Sequence, residues 1–208
     1  MKSLLLSTLL GLSACARLSG YTDAGADDVV VKRQYPDGAE GLRTLYADVL
    51  EAARRDEREK VHALLATLIM TDTELTTLFG DDATLRTRYH SMMETLIHRG
   101  AVELVGQVYE RKLDDVSVVE VDLSAKTATP EERAVAAALK QPVTMYSVRI
   151  KKKSDDRGLR YDLFFYFGGH WRTGNQLGKF LLPPPKPPEP PKSAPAGKVA
   201  TKPDGGTR

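Results

Sequence analysis

From Ala39 onward the apolar positions fall into a helical rhythm. Leu42, Leu45, Tyr46, Val49, Leu50 and Ala53 share one stripe of an amphipathic helix. After the charged run from Arg54 to Lys60, Val61, Leu64, Leu65, Leu68 and Ile69 form the apolar side of a second helix. Thr71-Asp72-Thr73-Glu74 reads as an N-cap opening a short helical turn through Leu78 and Phe79, closed by Gly80. Asp81 or Asp82 caps a further helix through Leu85, Tyr89, Met92, Met93, Leu96 and Ile97. Gly100 fits its C-cap, with His98 and Arg99 in the last turn, where positive charge is favoured.

Past Gly100 the period falls to two. Val102, Leu104, Gly106 and Val108 alternate with Glu103, Val105, Gln107 and Tyr109, which predicts a strand, and the valine-rich run from Val116 to Leu123 predicts another. Thr129 to Glu132 opens a helix through Leu139, with proline at its first position. Thr144 to Lys152 is a third strand, with Tyr146, Val148 and Ile150 on one face. A turn at Ser154 to Gly158 leads into Arg160 to Phe167, where Tyr161, Leu163, Phe165 and Phe167 are expected to face one way. Gly168-Gly169 then turns the chain into His170-Trp171-Arg172, and Lys179 to Leu182 is expected to finish the sheet. Helices first and antiparallel strands afterwards predict an α+β domain, with N-terminal helices packed on a curved antiparallel sheet.

The two ends carry other patterns. Residues 1–14 join Lys2 to a short apolar run from Ser3 to Leu12 and then small residues, the layout of a secretory leader too short to span a bilayer. Residues 15–38, with Gly20, Gly25, Pro36 and Gly38, read as a tether, broken by Val29-Val30-Val31, which can add an edge strand. The domain is expected over residues 39–182. Residues 183–208 hold nine of the twelve prolines, so this segment reads as a disordered tail of polyproline II character. Its five basic side chains outnumber its two acidic ones. It is either a solvated spacer or a basic arm for an anionic envelope polymer or a proline-binding partner.

The whole chain has 208 residues, a net charge of +2 and a single cysteine. The near-balance of charge argues against a nucleic-acid binder, and the lone cysteine excludes an intramolecular disulfide or a multi-cysteine metal site. That cysteine ends the string Leu12-Ser13-Ala14-Cys15, which resembles the lipobox of bacterial lipoproteins. The resemblance implies cleavage before Cys15, acylation of its thiol and anchoring in a lipid bilayer. With Ala16 next, it implies the outer membrane.

The order of elements from Gly38 to Leu182, closing on Tyr161-Asp-Leu-Phe-Phe-Tyr-Phe-Gly-Gly-His-Trp-Arg172, resembles the nuclear transport factor 2-like, or cystatin-like, fold. That fold is a cone of helices against a curved sheet, and its members range from isomerases and dehydratases to binding modules. An isomerase-like member needs a carboxylate base aimed into an apolar cavity. Asp122 and Asp162 are the strand aspartates to weigh, though both alternate to the face opposite the apolar set. Tyr109, Tyr146, Tyr161 and Trp171 are the candidate lining of a ligand pocket; strand tyrosines also pack with their hydroxyls at the rim. Lys151, Lys152 and Lys153, with Arg149, Arg157 and Arg160 nearby, form a basic hairpin. It is either a solvated guard against edge pairing or a contact for an anionic surface.

His62, His90, His98 and His170 show no metal-ligand spacing, and neither a nucleophile elbow nor a phosphate-binding glycine loop is present. No cofactor is expected. Two functions follow: a non-enzymatic, membrane-anchored envelope module that binds or scaffolds an envelope protein or anionic polymer, or a small-ligand carrier or isomerase-like enzyme using the cone cavity.

Overall fold

A computed structural model describes residues 34–182. They form an α+β unit in which four helices precede the first strand. These are α1 (Ala39–Arg54), α2 (Arg58–Ala66), α3 (Asp72–Phe79) and α4 (Ala83–Arg111). There follow β1 (Asp115–Glu120), α5 (Pro130–Ala138), β2 (Met145–Lys151), β3 (Gly158–Phe167), β4 (His170–Thr173) and a last short helix, α6 (Leu177–Leu181). The strands form one open antiparallel sheet in the order β1-β2-β3-β4.

Local chemistry explains most of the boundaries. Thr71 and Glu74 close a capping box at the start of α3, and Thr129 and Glu132 close a second at the start of α5, behind Pro130. Asp82 accepts the Leu85 N–H at the start of α4. Gly80 ends α3 with φ +93°, a conformation side chains rarely adopt.

Three expectations are corrected. The segment after Gly100 is not a strand: α4 runs through it without a break for 29 residues, about 43 Å of helix. Ala101, Leu104, Val105 and Val108 continue the stripe of Met93 and Ile97 into the core, while Val102 is 48% exposed. A valine- and leucine-rich run satisfies either period over so few residues, and packing chose the helical one. The second correction is at the C-terminal end, where residues 177–181 form a helical turn, α6, that packs on α5 rather than a last strand.

The third concerns β3. Tyr146 pairs with Phe164 but Val148 pairs with Tyr161, so Ser147 alone stands opposite both Asp162 and Leu163. This β-bulge holds Leu163 at φ +66°, and it reverses the alternation of the strand. Leu163 and Phe165 therefore face one way, and Tyr161 and Phe164 the other.

Two apolar clusters result. The first joins α1, α2 and the C-terminal half of α4 to Val116, Tyr146, Val148, Ile150, Phe164 and Trp171 of the sheet. The second joins α3 and the N-terminal half of α4 to Met145, Leu163 and Phe165, with Val135 of α5 and Leu177 of α6. The last residues of the expected tether belong to this body. Tyr35 packs against the first cluster and its hydroxyl donates to Asp48, while Trp171 Nε1–H donates to the Pro36 carbonyl at 3.0 Å. The expected leader, Cys15, the Val29-Val30-Val31 stretch and the proline-rich segment lie outside the described residues.

Candidate functional site

The seam between the two clusters holds a cavity of about 80 Å³. Met93, Leu96, Ile97, Gly100 and Leu104 of α4 form one wall, and Leu65 and Leu68 another. Tyr46 of α1, Tyr161 and Phe164 of β3, Thr173 at the end of β4 and Asn175 beyond it complete the cavity. Each wall follows from a local feature. The α4 residues fall at helical spacings on one stripe, and Gly100 sits where the pattern elsewhere has a large apolar side chain. A Cβ added at Gly100 would meet nothing within 4 Å, so the glycine is not there to relieve a clash. Tyr161 and Phe164 reach the same cavity only because the bulge at Asp162-Leu163 lies between them.

Two phenols face each other here. The rings of Tyr46 and Tyr161 lie 6.1 Å apart, and Phe164 meets Tyr46 edge-on at 5.3 Å. Tyr46 is only 2% exposed, and no side chain or backbone group among the described residues hydrogen-bonds its hydroxyl. No fully sealed side-chain nitrogen or oxygen in these residues lacks a partner, so the Tyr46 hydroxyl must open onto free space. Burial, with Tyr161 beside it, pushes the Tyr46 phenol well above its ordinary pKa. Burial, with Glu103 nearby, pushes Tyr161 up to about 12. Both phenols are therefore neutral donors at physiological pH.

The candidates read from the chain are distributed differently. Tyr161 lines the cavity. Tyr109 does not: it lies on α4 rather than on a strand and is 85% exposed, because the helical continuation of α4 turns that position outward. Tyr146 and Trp171 lie edge to face with ring centroids 5.4 Å apart in the first cluster, away from this cavity, and Tyr166 also meets Trp171 edge-on at 5.4 Å.

Neither aspartate points into the cavity. Asp122 lies just past β1 rather than on it. Its carboxylate accepts the Ser124 hydroxyl and N–H, which lowers its pKa. Asp162 accepts from Arg160 at 2.7 Å.

The basic hairpin is interleaved with carboxylates. Lys151 pairs with Asp156 at 3.0 Å, and Arg149 donates to the Asp156 carbonyl. Asp114 accepts the Lys153 N–H. Lys152 and Lys153 stand exposed. Beside the hairpin, a larger cleft of about 370 Å³ is bordered by Ser117, Ser147, Arg149, Arg160 and Glu132, and Asp122 lies on its rim. The fully buried Glu132 is occupied there by the Thr129 N–H and Arg160, and so serves the cap.

Sequence reasoning missed Tyr46 and Gly100. The first was read as a core residue and the second as a helix end. A signal was available: Met93, Leu96, Ile97, Gly100 and Leu104 keep helical spacing through the glycine. It also missed that His62 and His98, from different helices, come ring to ring at 6.1 Å. Among the described residues no group of three or more His, Cys, Asp or Glu side chains could hold a metal ion, and no helix is long and apolar enough to cross a membrane. No family profile, curated protein or solved structure matches this chain.

Proposed function

We propose that this chain is an envelope lipoprotein, held in the outer membrane by acyl groups on Cys15, whose α+β body works by binding rather than by catalysis. The observation that carries the reading is the string Leu12-Ser13-Ala14-Cys15 directly behind a short apolar leader, with the only cysteine of the chain at its end. Three acyl chains exceed the two signals that stable anchoring takes.

The dimensions are consistent with a tethered body. Nineteen peptide units separate Cys15 from Gln34, a reach of at most about 65 Å at roughly 3.4 Å per residue. The order of helices followed by an antiparallel sheet supports a likeness to the nuclear transport factor 2-like cone, with α5 as an insertion between its strands. The cavity supports binding: its lining is apolar with hydroxyl and amide groups, and its two phenols stay protonated. Envelope proteins and anionic polymers are the partners of this reading. The basic hairpin and the lysine-bearing tail would be secondary contacts.

The test is incorporation of labelled fatty acid by the full chain in a Gram-negative host, beside a Cys15→Ser control. Label that disappears in the control is the expected result. Equal labelling of both, or of neither, rejects the anchor.

A further inference from the structure

We propose that the cleft on the sheet face away from the tyrosine cavity, between β1, β2, β3 and the start of α5, binds a short zwitterionic peptide of two or three small residues. Its carboxylate is held at Arg149 and Arg160, and its ammonium group is directed to Glu120 and Asp122. The inference rests on the reading of the body as a binding module and is independent of the lipid anchor.

The two faces of the sheet are set by alternation. Val116, Val118, Val148 and Tyr161 pack into the first cluster, so Ser117, Ser147, Arg149 and Arg160 leave the opposite face. Farther along that face Met145, Leu163 and Phe165 are covered by Val135 of α5 and Leu177 of α6. The uncovered part holds the cleft, whose volume of about 370 Å³ falls within the roughly 300–1,000 Å³ of small-molecule sites.

Two arginines stand opposite each other there. Arg149 and Arg160 are register partners across β2 and β3, and Ser117 of β1 completes the rung. Like charges facing one another across a sheet weaken it. Arg160 is compensated by Asp162 at 2.7 Å and by the buried Glu132 at 3.3 Å. Arg149 pairs with no carboxylate among the described residues. It donates to the neutral Asp156 carbonyl, and the Asp156 carboxylate is taken by Lys151. A guanidinium carries five N–H donors, and its planar fork matches a carboxylate. Arg149 thus weakens the sheet and has donors to spare, as expected of a group kept for a ligand.

The charge of the cleft reverses along β1. Five residues beyond Ser117, about 16 Å at roughly 3.3 Å per residue, Asp122 borders the cleft with Glu120. Val119, Val121 and Ala128 line the stretch between. A polyanion meets like charge at one end and a simple cation meets it at the other. A molecule with opposite charges at its two ends and a small apolar middle meets neither. Two or three residues of extended peptide cover about 7–10 Å, which leaves the rest of that length to the side chains at either end.

Trialanine is the probe, beside its C-terminal amide and its N-acetyl derivative. Binding to the full chain purified from a Gram-negative host is measured by equilibrium dialysis of labelled peptide. Trialanine should bind saturably, one per chain. The amide should bind about tenfold more weakly, having lost a charge-assisted hydrogen bond, and the acetylated peptide about threefold more weakly, because its partner carboxylates are exposed. Arg149→Gln should bring trialanine and its amide to equal affinity without lowering the unfolding temperature, since it also removes the like-charge contact. Glu120→Gln/Asp122→Asn should do the same for trialanine and its acetylated form. Ser117→Glu, which sets a carboxylate in register beside Arg149, should abolish binding and serves should Arg149→Gln fail to fold.

No saturable binding of trialanine, equal affinity of the wild type for the peptide and its amide, or discrimination that survives both Arg149→Gln and Ser117→Glu would each overturn the proposal. Tighter binding of polyphosphate than of trialanine would overturn it in favour of a polyanion contact. A chain that binds none of the peptides yet photo-crosslinks to an envelope protein would leave the binding-module reading standing and remove this site. A chain that binds trialanine but takes no fatty acid would keep this site and remove the anchor.

Discussion

Two buried tyrosines, one in each cluster, show what separates a structural phenol from an available one. Tyr89, in the second cluster, is fully buried. Its hydroxyl donates to the Thr173 carbonyl at 2.8 Å and accepts the Met70 N–H at 3.1 Å. It thereby ties α4 to the loop before α3 and to the end of β4. Tyr46, in the first cluster, is as deeply placed, but its hydroxyl has no such partners and borders open space. The two residues look alike in the chain, since both sit on the apolar stripe of a helix. The difference lies in what the rest of the fold puts opposite the hydroxyl: two backbone groups in one case, a second phenol and a cavity in the other.

The neighbourhoods differ in the same sense. Around Tyr89, Arg172 bridges to Glu74 at 2.9 Å, with both side chains largely buried, and donates as well to the Thr67 carbonyl. Thr173 N–H donates to the Leu68 carbonyl, which closes part of the outer edge of β4. Around Tyr46 the sheet carries a bulge, the helix carries a glycine, and the space between them stays open.

The contrast can be broken at its strongest point first. Glu74→Ala leaves the Arg172 guanidinium buried without its carboxylate and removes the Glu74 half of the capping box of α3, the acceptor of the Thr71 N–H. It should destabilise the fold by about 3–5 kcal/mol, measured by urea unfolding. A loss under about 1 kcal/mol would mean that water reaches the pair and that the second cluster is less tightly held than its geometry indicates.

Phenylalanine at each tyrosine then sharpens the comparison. Tyr89→Phe should cost about 1–3 kcal/mol, because the Met70 N–H is left buried without an acceptor. Tyr46→Phe should be neutral or stabilising by up to about 1 kcal/mol, because only an unpartnered hydroxyl is lost. Equal losses for the two variants would show that the Tyr46 hydroxyl has a structural role after all.

The smallest effect is expected in alkali. Tyr161 has its folded-state pKa raised to about 12 from an ordinary value of 10.0, and that of Tyr46 is raised well above the same value. A folded pKa above the unfolded one contributes stability that is complete below about pH 10 and is lost as the pH rises towards 12. The unfolding midpoint should fall across that window, and a Tyr46→Phe/Tyr161→Phe double variant should fall less steeply. Parallel curves for the two proteins would place the alkaline loss elsewhere, Tyr89 being the next group with a raised phenol.

The starts of α3, α4 and α5, the turn between β2 and β3 and the order of helices before antiparallel strands were all legible along the chain. Each depends on residues close in sequence. A threonine and a glutamate three positions on form a capping box wherever the helix later docks. The hydrophobic stripe of α1 was legible for the same reason, since its period is sustained over four turns and admits one reading.

What lay beyond the chain's local signals is the length of α4, the face each residue of β3 presents and the cavity itself. From Ala101 to Tyr109 both periods fit, and the core supplied by α1 and α2 selected the helix, which moved Tyr109 from an expected pocket wall to the surface. In β3 one extra residue in the pairing reversed the alternation, and nothing in Asp162-Leu163 announces a bulge, because the bulge is a property of the register with β2. The sequence by itself determined where the elements begin and that their apolar faces must be covered, since capping and periodicity act between near neighbours. Only the tertiary structure decided which of two equivalent tyrosines would be satisfied and which would face open space, because that depends on groups distant in the chain, Thr173 for Tyr89 and Tyr161 for Tyr46, being brought together by the fold.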